Sequence, residues 1–143
     1  GKMYNDDWMR ERGFLENTVV TAEDLVNEHE NKPLVSVFAE ELVSHAIAKM
    51  RKFGISQIPV IKDNKFVGSV DDSAIYQSLV DRPELSDAPI ASIMGPAFPI
   101  VNSGTSVEEL CKLINKDTPA VLVKKTDDSH HIVTRYDIIS AMS

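Results

Sequence analysis

Residues 130–143, HHIVTRYDIISAMS, change their hydrophobic spacing halfway along. Apolar residues alternate up to Thr134 and then recur at helical spacing, which predicts a strand that runs directly into a helix. Thr134 lies at the junction, and Asp137 follows three residues later. A hydroxyl and a carboxylate at such a junction could hold a small ligand. The same Thr-x-x-Asp spacing is also that of a capping box, so the residues alone leave both interpretations open.

The same order of elements occurs earlier in the chain. Leu34–Phe38 predicts a strand, and an amphipathic helix follows that should end at Gly54. Its apolar stripe consists of Val43, Ala46, Ile47 and Met50. Two strands then flank an Asp63-Asn64 turn, and Asp71 begins a helix.

After a proline-rich connector over 81–89, the order repeats. Phe98–Val101 predicts a strand, and Thr105 with Glu108 predicts a capping box. The helix that follows carries Val107, Leu110, Cys111 and Ile114 on one side, so a buried thiol is expected. Two more strands, Ala120–Val123 and 132–134, are joined by a turn at 126–129.

Superposing the two halves predicts an internal duplication. The alignment pairs Val43 with Val107, Ile58 with Ala120, Val70 with Val133 and Asp71 with Thr134. The predicted fold class is α+β, with two βαββα repeats packed about a pseudo-twofold axis and preceded by a helical linker. The predicted boundaries are 1–17 for the linker, 18–83 for the first repeat and 84–143 for the second.

The charge composition of the chain limits the classes of partner that it can bind. The chain has 143 residues, 15 basic and 22 acidic, and a net charge of −7. Nucleic acids and anionic membranes bind clustered positive charge, so neither is expected as a partner. The sequence lacks an apolar run of membrane-spanning length and a signal-peptide pattern, and a single cysteine fits a reducing compartment. A cytoplasmic location is therefore expected.

The residues do not predict catalysis or a metal site. His130 and His131 are adjacent on a strand and should face opposite ways, while His29 and His45 are distant in sequence. The sequence has no recognisable nucleophile with a base, no phosphate-binding glycine loop and no context for pyridoxal phosphate attachment. The chain is expected to be non-catalytic and to hold no cofactor of its own.

Two stretches resemble a known family. GISQIPVIKDNKFVGSV at 54–70 and HHIVTRYDII at 130–139 resemble the hairpin and ligand motif of CBS domains, which occur in tandem as Bateman modules. The opening KMYNDDWMRERGFL is similar to the segment between the catalytic and regulatory domains of cystathionine β-synthases. The resemblance implies a regulatory fragment of a larger enzyme, with pyridoxal phosphate only in the missing catalytic domain.

The family's ligand motif is glycine, two apolar residues, Ser/Thr, two variable residues and Asp. Thr134 and Asp137 match it, although His131 replaces the glycine; the first repeat keeps Gly68 but has Asp71 and Ala74 at the two polar positions. The resemblance therefore implies one intact adenosyl site. Its implied ligand-binding residues are Thr134, Asp137, Ile132, Lys32, Pro33, Leu34, Ile55, Ser56, Gln57, Ile58 and Pro59.

The implied ligands are S-adenosylmethionine, AMP and ATP. The corresponding site of the first repeat has Asp71 in place of the motif hydroxyl, and a carboxylate would be a poor neighbour for phosphate. That site would therefore tolerate the cationic S-adenosylmethionine better than a nucleotide. The implied partners are the chain's own catalytic domain and a second copy, through a homodimer of the module. The alternative is a module that has lost sensing and serves in dimerisation or docking.

Overall fold

The structure is a computed structural model that describes residues 21–27 and 33–142. The predicted linker at 1–17 and the predicted ligand residue Lys32 lie outside the described residues. The helices are α1 Ala22–Asn27, α2 Val43–Phe53, α3 Asp72–Asp81, α4 Val107–Leu113 and α5 Arg135–Met142. The strands are β1 Val37–Phe38, β2 Gln57–Lys62, β3 Lys65–Asp71, β4 Ile100–Asn102, β5 Ala120–Lys124 and β6 His130–Thr134.

The predicted fold class is confirmed, because the described residues form two βαββα repeats, each with a three-stranded sheet. In each sheet the middle strand pairs in parallel with the strand before the helix and antiparallel with the strand after it. The register pairs Ile58 with Val70 and Val121 with Val133. Ile58 is therefore equivalent to Val121, and the predicted equivalence of Ile58 with Ala120 is wrong by one residue.

The chain divides into two compact units. The first unit is Leu34–Pro99, and the second contains the described residues 21–27, 33 and 100–142. Each unit has its own hydrophobic core. That of the first is formed by Val37, Ala39, Val43, Ala46, Met50, Ile58, Val60, Val70, Ile75 and Ile90. That of the second is formed by Ala22, Leu25, Val26, Val107, Leu110, Ile114, Val121, Val123, Val133 and Ile138.

Local sequence signals explain the elements of the first unit. Gly54 ends α2 in the left-handed conformation with φ 64°, and its amide donates to the Met50 carbonyl, as the C-cap prediction required. The turn residues Asp63 and Asn64 have φ of 53° and 63°, a conformation that Asn and Asp tolerate better than most residues do. Asp71 caps α3 as predicted, because its Oδ1 accepts from the Ala74 amide at 2.7 Å.

The second unit differs from the sequence prediction at α4. The N-cap is Ser106, whose Oγ accepts from the Glu109 amide at 3.0 Å, so the capping box predicted at Thr105 and Glu108 is wrong by one residue. The Thr105 hydroxyl instead contacts the Asn102 side chain at 3.5 Å. Two hydroxyl residues stand side by side here, and the helix begins after the second of them.

The short helix that precedes each repeat packs on the other repeat. Ala22 at the start of α1 donates its amide to the Thr105 carbonyl at 2.7 Å, inside the second unit. Equivalently, Ile90 of the 3₁₀ helix Ile90–Ser92 donates to the Glu41 carbonyl at 2.8 Å in the first unit. The compact units therefore differ in extent from the sequence repeats, whose boundaries at 18–83 and 84–143 stay a prediction.

Two smaller differences concern the strands before the helices and the connector between the repeats. The strands before the helices are shorter than predicted, at Val37–Phe38 and Ile100–Asn102. The segment expected to be only a connector contains the 3₁₀ helix Pro83–Asp87. Among the described residues, none of the helices has the length and apolar character needed to cross a membrane.

Candidate functional site

Thr134 and Asp137 meet where β6 enters α5. The Asp137 Oδ2 accepts two hydrogen bonds, from the Thr134 amide at 2.8 Å and from the Thr134 hydroxyl at 3.2 Å. Both residues are half-buried. The pair is brought together as predicted, and its bonds are those of a helix cap. The half of the predicted capping box in which the Asp137 carboxylate accepts from the Thr134 amide is therefore present, and the ligand interpretation stays a prediction.

A second Thr-x-x-Asp pair in the same unit makes the same two hydrogen bonds. Thr21 donates its amide to the Asp24 Oδ2 at 3.0 Å and its hydroxyl at 3.2 Å, at the start of α1. Thr21 and Asp24 stand outside the family's ligand motif, so a Thr-x-x-Asp pair closes in this way without any ligand. The hydrogen bonds between Thr134 and Asp137 therefore do not distinguish a helix cap from a ligand site. A ligand site at this pair is supported only by the family motif around it.

The first unit uses the equivalent junction differently. Asp71 pairs with Gln57 and ends β3, as Thr134 pairs with Ala120 and ends β6. The Asp71 carboxylate caps α3 through the Ala74 amide, and the Asp72 amide donates to the Ser56 carbonyl at 3.0 Å. Polar groups of the first junction are thus bound to groups of the protein itself.

Gly68, the motif glycine of the first repeat, has a structural role. A β-carbon at this position would lie 2.5 Å from the Met94 Sδ and 2.9 Å from the Gly95 carbonyl oxygen. Ser69 next to it exchanges both backbone hydrogen bonds with Gly95, at 3.1 and 2.8 Å. The glycine therefore allows the segment after the second 3₁₀ helix to lie along β3.

The remaining predicted ligand residues are distributed over the two units. Ile132 lies on β6 opposite Leu122, and Pro33 is an exposed residue of the second unit. Leu34 and the run 55–59 belong to the first unit. Within that run Ile58 is fully buried in the hydrophobic core, whereas Ser56 is exposed and Gln57 half-buried. The Ile58 side chain is thus used in packing.

The histidines and the cysteine take ordinary places. Within 21–27 and 33–142, no group of three or more His, Cys, Asp or Glu side chains could hold a metal ion. His131 lies 3.2 Å from the Ser129 hydroxyl, and Ser129 donates to Asp127, which lowers the pKa of that carboxyl. Cys111 is exposed, so the prediction of a buried thiol is wrong, because Val107, Leu110 and Ile114 alone supply the buried face of α4.

The sequence interpretation overlooked Arg135, the first residue of α5. It is exposed, and it follows Thr134 directly. The equivalent residue of the first repeat is Asp72, the first residue of α3. In the alignment of the two repeats, this change from a positive to a negative charge lies one position after the pair of Thr134 and Asp71.

Comparison with known proteins identifies the family of the chain. The family model described as CBS domain matches residues 22–81 and 90–143. Cystathionine β-synthase of Dictyostelium discoideum is 21% identical over 155 residues, which cover 97% of this chain and 31% of that relative. The chain thus spans much less than two thirds of the curated relative that it matches.

Solved structures are similar in fold. A CBS-domain-containing protein from Agrobacterium tumefaciens has a TM-score of 0.77 at 13% identity, covering 90% of this chain and 97% of its own. CBSX2, a CBS-pair protein of Arabidopsis thaliana solved in complex with AMP, has a TM-score of 0.60 at 22% identity, covering 76% and 86%. Because the family model matches twice and accounts for most of the chain, this protein belongs to the CBS-domain family and is a tandem CBS pair.

Proposed function

We propose that this CBS pair is a regulatory module that binds one adenosyl ligand at the junction of Thr134 and Asp137. One observation carries the proposal: the second repeat has a hydroxyl and a carboxylate at the two polar positions of the family motif, bonded to each other at a strand–helix junction. The first repeat has an aspartate and an alanine there, and that aspartate caps its helix.

The chemistry of the pair suits a nucleoside. A carboxylate can accept hydrogen bonds from both hydroxyls of a ribose, and bonds to an ionised acceptor are the stronger kind. Because the Thr134 amide and hydroxyl both donate to Oδ2, they fix the orientation of the carboxylate before a ligand arrives. Ile132, two residues earlier on the strand, offers an apolar surface for the adenine.

The first repeat supplies the other residues of the proposed site. They are Lys32, Pro33, Leu34 and the run 55–59, with Ile58 contributing its backbone only, because its side chain is buried in the core. This assignment rests on the family resemblance.

The regulated enzyme is proposed to be a pyridoxal-phosphate-dependent, cystathionine β-synthase-like lyase to which this module is attached. The support is the likeness to the Dictyostelium enzyme. A ligand shifts the balance between two states of such an enzyme only by its difference in affinity for them. The module is therefore proposed to bind its ligand more tightly in one regulatory state than in the other.

The test is calorimetric titration of the 143-residue chain with S-adenosylmethionine, AMP and ATP, in the unchanged protein and in two variants. Asp137→Ala and Asp24→Ala each remove a carboxylate that accepts the same two threonine bonds. Each should lose a similar amount of stability, about 0.5–2 kcal/mol. Only Asp137→Ala should lose binding. Equal binding in both variants, or no binding of any ligand to the folded chain, would contradict the proposal.

A second candidate, a dimerisation or docking module, is supported by exposed apolar side chains. Tyr76 on α3 and Ile139 on α5 follow the first residues of their helices by four positions, and they are 66% and 57% exposed. Tyr136 and Val80 add to the same two helices, at 73% and 59%. Exposed apolar residues that recur at equivalent positions fit a contact with another copy or with the catalytic domain.

Sedimentation velocity tests this second candidate. The double variant Tyr76→Glu and Ile139→Glu should reduce self-association of the chain, whereas Lys112→Glu, at an exposed polar position of α4, should not. Under the sensor proposal Asp137→Ala leaves association unchanged and removes ligand binding, so the two functions are measured independently.

A further inference from the structure

We propose that an apolar row on the first sheet binds the opening segment of this chain, residues 1–17, with Trp8 as the anchor. The apolar row consists of Phe38, Ile61 and Phe66, one residue from each strand. The inference does not depend on the proposed ligand site, because it concerns only the first unit and the opening segment.

The strand register brings the three side chains of the apolar row to one face of the sheet. Phe38 on β1 is paired with Ile61 on β2, and Ile61 is paired with Phe66 on β3. The preceding pair, Val37 with Val60, lies in the hydrophobic core. Because successive side chains of a strand point to opposite faces, Phe38 and Ile61 face away from that core.

Phe38 is the exposed end of the apolar row. Its side chain is 59% exposed, whereas Ile61 and Phe66 are half-buried. A single apolar residue on a surface is ordinary, but a row that crosses a whole sheet is a candidate contact surface.

The second sheet has polar residues in the equivalent row. Lys124 on β5 is paired with Asn102 on β4 and with His130 on β6, as Ile61 is paired with its two neighbours. The repeat therefore folds with polar side chains at these positions. Of the two repeats only the first has the apolar row, which favours a role in binding over a role in folding.

The opening segment has the apolar side chains that such a surface binds. Tyr4, Trp8 and Met9 recur at close to helical spacing. Tryptophan and tyrosine bury a large apolar area at the cost of few rotatable bonds, and they are the usual anchors of contacts between protein surfaces. Trp8 is therefore the side chain of this segment that would gain most from the apolar row.

Charge at the hairpin end of the apolar row complements the opening segment. Lys62 and Lys65 are exposed and form the next pair along the two strands, with Asp63 in the turn between them. This end thus has two lysines and one aspartate in a chain whose net charge is −7. The carboxylates of Asp6 and Asp7 directly precede the tryptophan, so they accompany it to a surface bordered by lysines.

The opening segment is long enough for this contact. Trp8 precedes Thr21, where the described residues begin, by thirteen residues, and an extended chain of that length spans up to about 45 Å. A compact domain of about 100 residues has a radius of gyration of only about 13 Å. Chain length therefore does not restrict the segment to the second unit, in which Thr21 lies.

The experiment is the fluorescence of Trp8, the only tryptophan of the chain. Packed on the apolar row, Trp8 should emit at a shorter wavelength than N-acetyltryptophanamide and be quenched less by acrylamide. The double variant Phe38→Thr and Ile61→Thr removes the apolar surface and keeps residues that favour strands. Its emission and quenching should return to those of N-acetyltryptophanamide, while far-UV circular dichroism stays that of the unchanged chain. Phe38→Thr alone keeps the half-buried Ile61 and should give the larger part of the change, even if the double variant loses structure.

The matched control is Ile100→Thr on β4, a strand residue of the second sheet that is 50% exposed. It makes the same kind of change outside the apolar row, so Trp8 should stay protected from acrylamide in this variant. Dilution of the unchanged chain should also leave the protection as it is, because a contact within one chain does not depend on concentration.

Three results would overturn the inference. If Trp8 of the unchanged chain is quenched like N-acetyltryptophanamide, the opening segment does not bind the apolar row. If Trp8 stays protected in Phe38→Thr and in the double variant, or loses its protection in Ile100→Thr instead, it packs on another surface. If the protection disappears on dilution, the contact is made with a second copy of the chain.

Discussion

Met94 lies against the α-carbon of Gly68, so closely that a β-carbon at position 68 would come within 2.5 Å of the methionine sulfur. The Gly95 carbonyl oxygen, at 2.9 Å from the same point, is backbone and cannot rotate away. The glycine that belongs to the ligand motif by sequence is therefore required by packing in the first repeat.

We expect Gly68→Ala to destabilise the chain by about 1–3 kcal/mol, the usual range for overpacking a well-packed interior. Chemical denaturation followed by circular dichroism measures the loss. Gly95→Ala is the matched control, because a β-carbon there has as its nearest neighbour the Ser69 carbonyl oxygen at 3.9 Å, an ordinary contact. Equal stability of Gly68→Ala and the unchanged chain would show that Met94 and the backbone after it can move.

Ser103 offers a stability prediction of the opposite sign. It is 8% exposed, and among the described residues its hydroxyl has no hydrogen-bond partner. Its equivalent in the first unit is Ala39, which donates its amide to the Ile61 carbonyl as Ser103 donates to the Lys124 carbonyl. A buried hydroxyl without a partner costs free energy, so Ser103→Ala should be neutral or stabilising by up to about 1 kcal/mol.

The reciprocal variant makes this a comparison within one protein. Ala39→Ser places a hydroxyl at the equivalent position, which is 2% exposed, and should cost about 1–3 kcal/mol. Thermal unfolding of both variants in the same buffer gives the two changes. A Ser103→Ala variant that unfolds as readily as Ala39→Ser would mean that the serine hydroxyl is satisfied by water.

Alanine variants of Asp71 and Asp137 should distinguish helix capping from ligand binding. Asp71→Ala removes the acceptor of the Ala74 amide and should cost about 0.5–2 kcal/mol, the usual effect of losing an N-cap. Under the proposed function its affinity for AMP stays that of the unchanged chain, whereas Asp137→Ala binds no AMP. Titration and denaturation of the two variants together test this. A loss of AMP binding in Asp71→Ala would assign the first junction to the site.

Strong local signals predicted much of the fold. Gly54, the Asp63-Asn64 turn and the Asp71 cap each depend on residues within four positions, and the structure has all three. The packing of α1 on the second repeat depends on backbone bonds across more than 80 positions, such as Ala22 to Thr105, and periodicity contains no trace of it. The start of α4 at Ser106 instead of Thr105 did not follow from residue type, since both residues can cap, and the Thr105 hydroxyl bonds to the Asn102 side chain instead.

The candidate site was predictable to a more limited degree. The spacing of Thr134 and Asp137 identified the residues that meet, but a cap and a ligand motif need the same spacing, and Thr21 with Asp24 shows the cap alone. Arg135 was open to the same repeat alignment that revealed the change from Thr134 to Asp71. Arg135 occupies one of the two variable positions of the motif, between Thr134 and Asp137, so the motif assigns it no role.

The raised pKa of the Cys111 thiol predicts how its rate of alkylation depends on pH. Partial desolvation of its thiol raises the pKa above the ordinary value of 9.0, and the Glu108 carboxylate on the same helix raises it further, since both disfavour the thiolate. Because the thiolate is the nucleophile, this exposed cysteine should react with iodoacetamide more slowly at pH 8 than a free cysteine does. Glu108→Gln removes the negative charge and should speed alkylation at pH 8, whereas Glu109→Gln should have a smaller effect, because Glu109 does not contribute to the raised pKa. Mass spectrometry of the alkylated fraction over time, from pH 7 to pH 10, measures all three rates. A rate for the unchanged chain equal to that of free cysteine at pH 8 would show that helix α4 does not perturb the thiol.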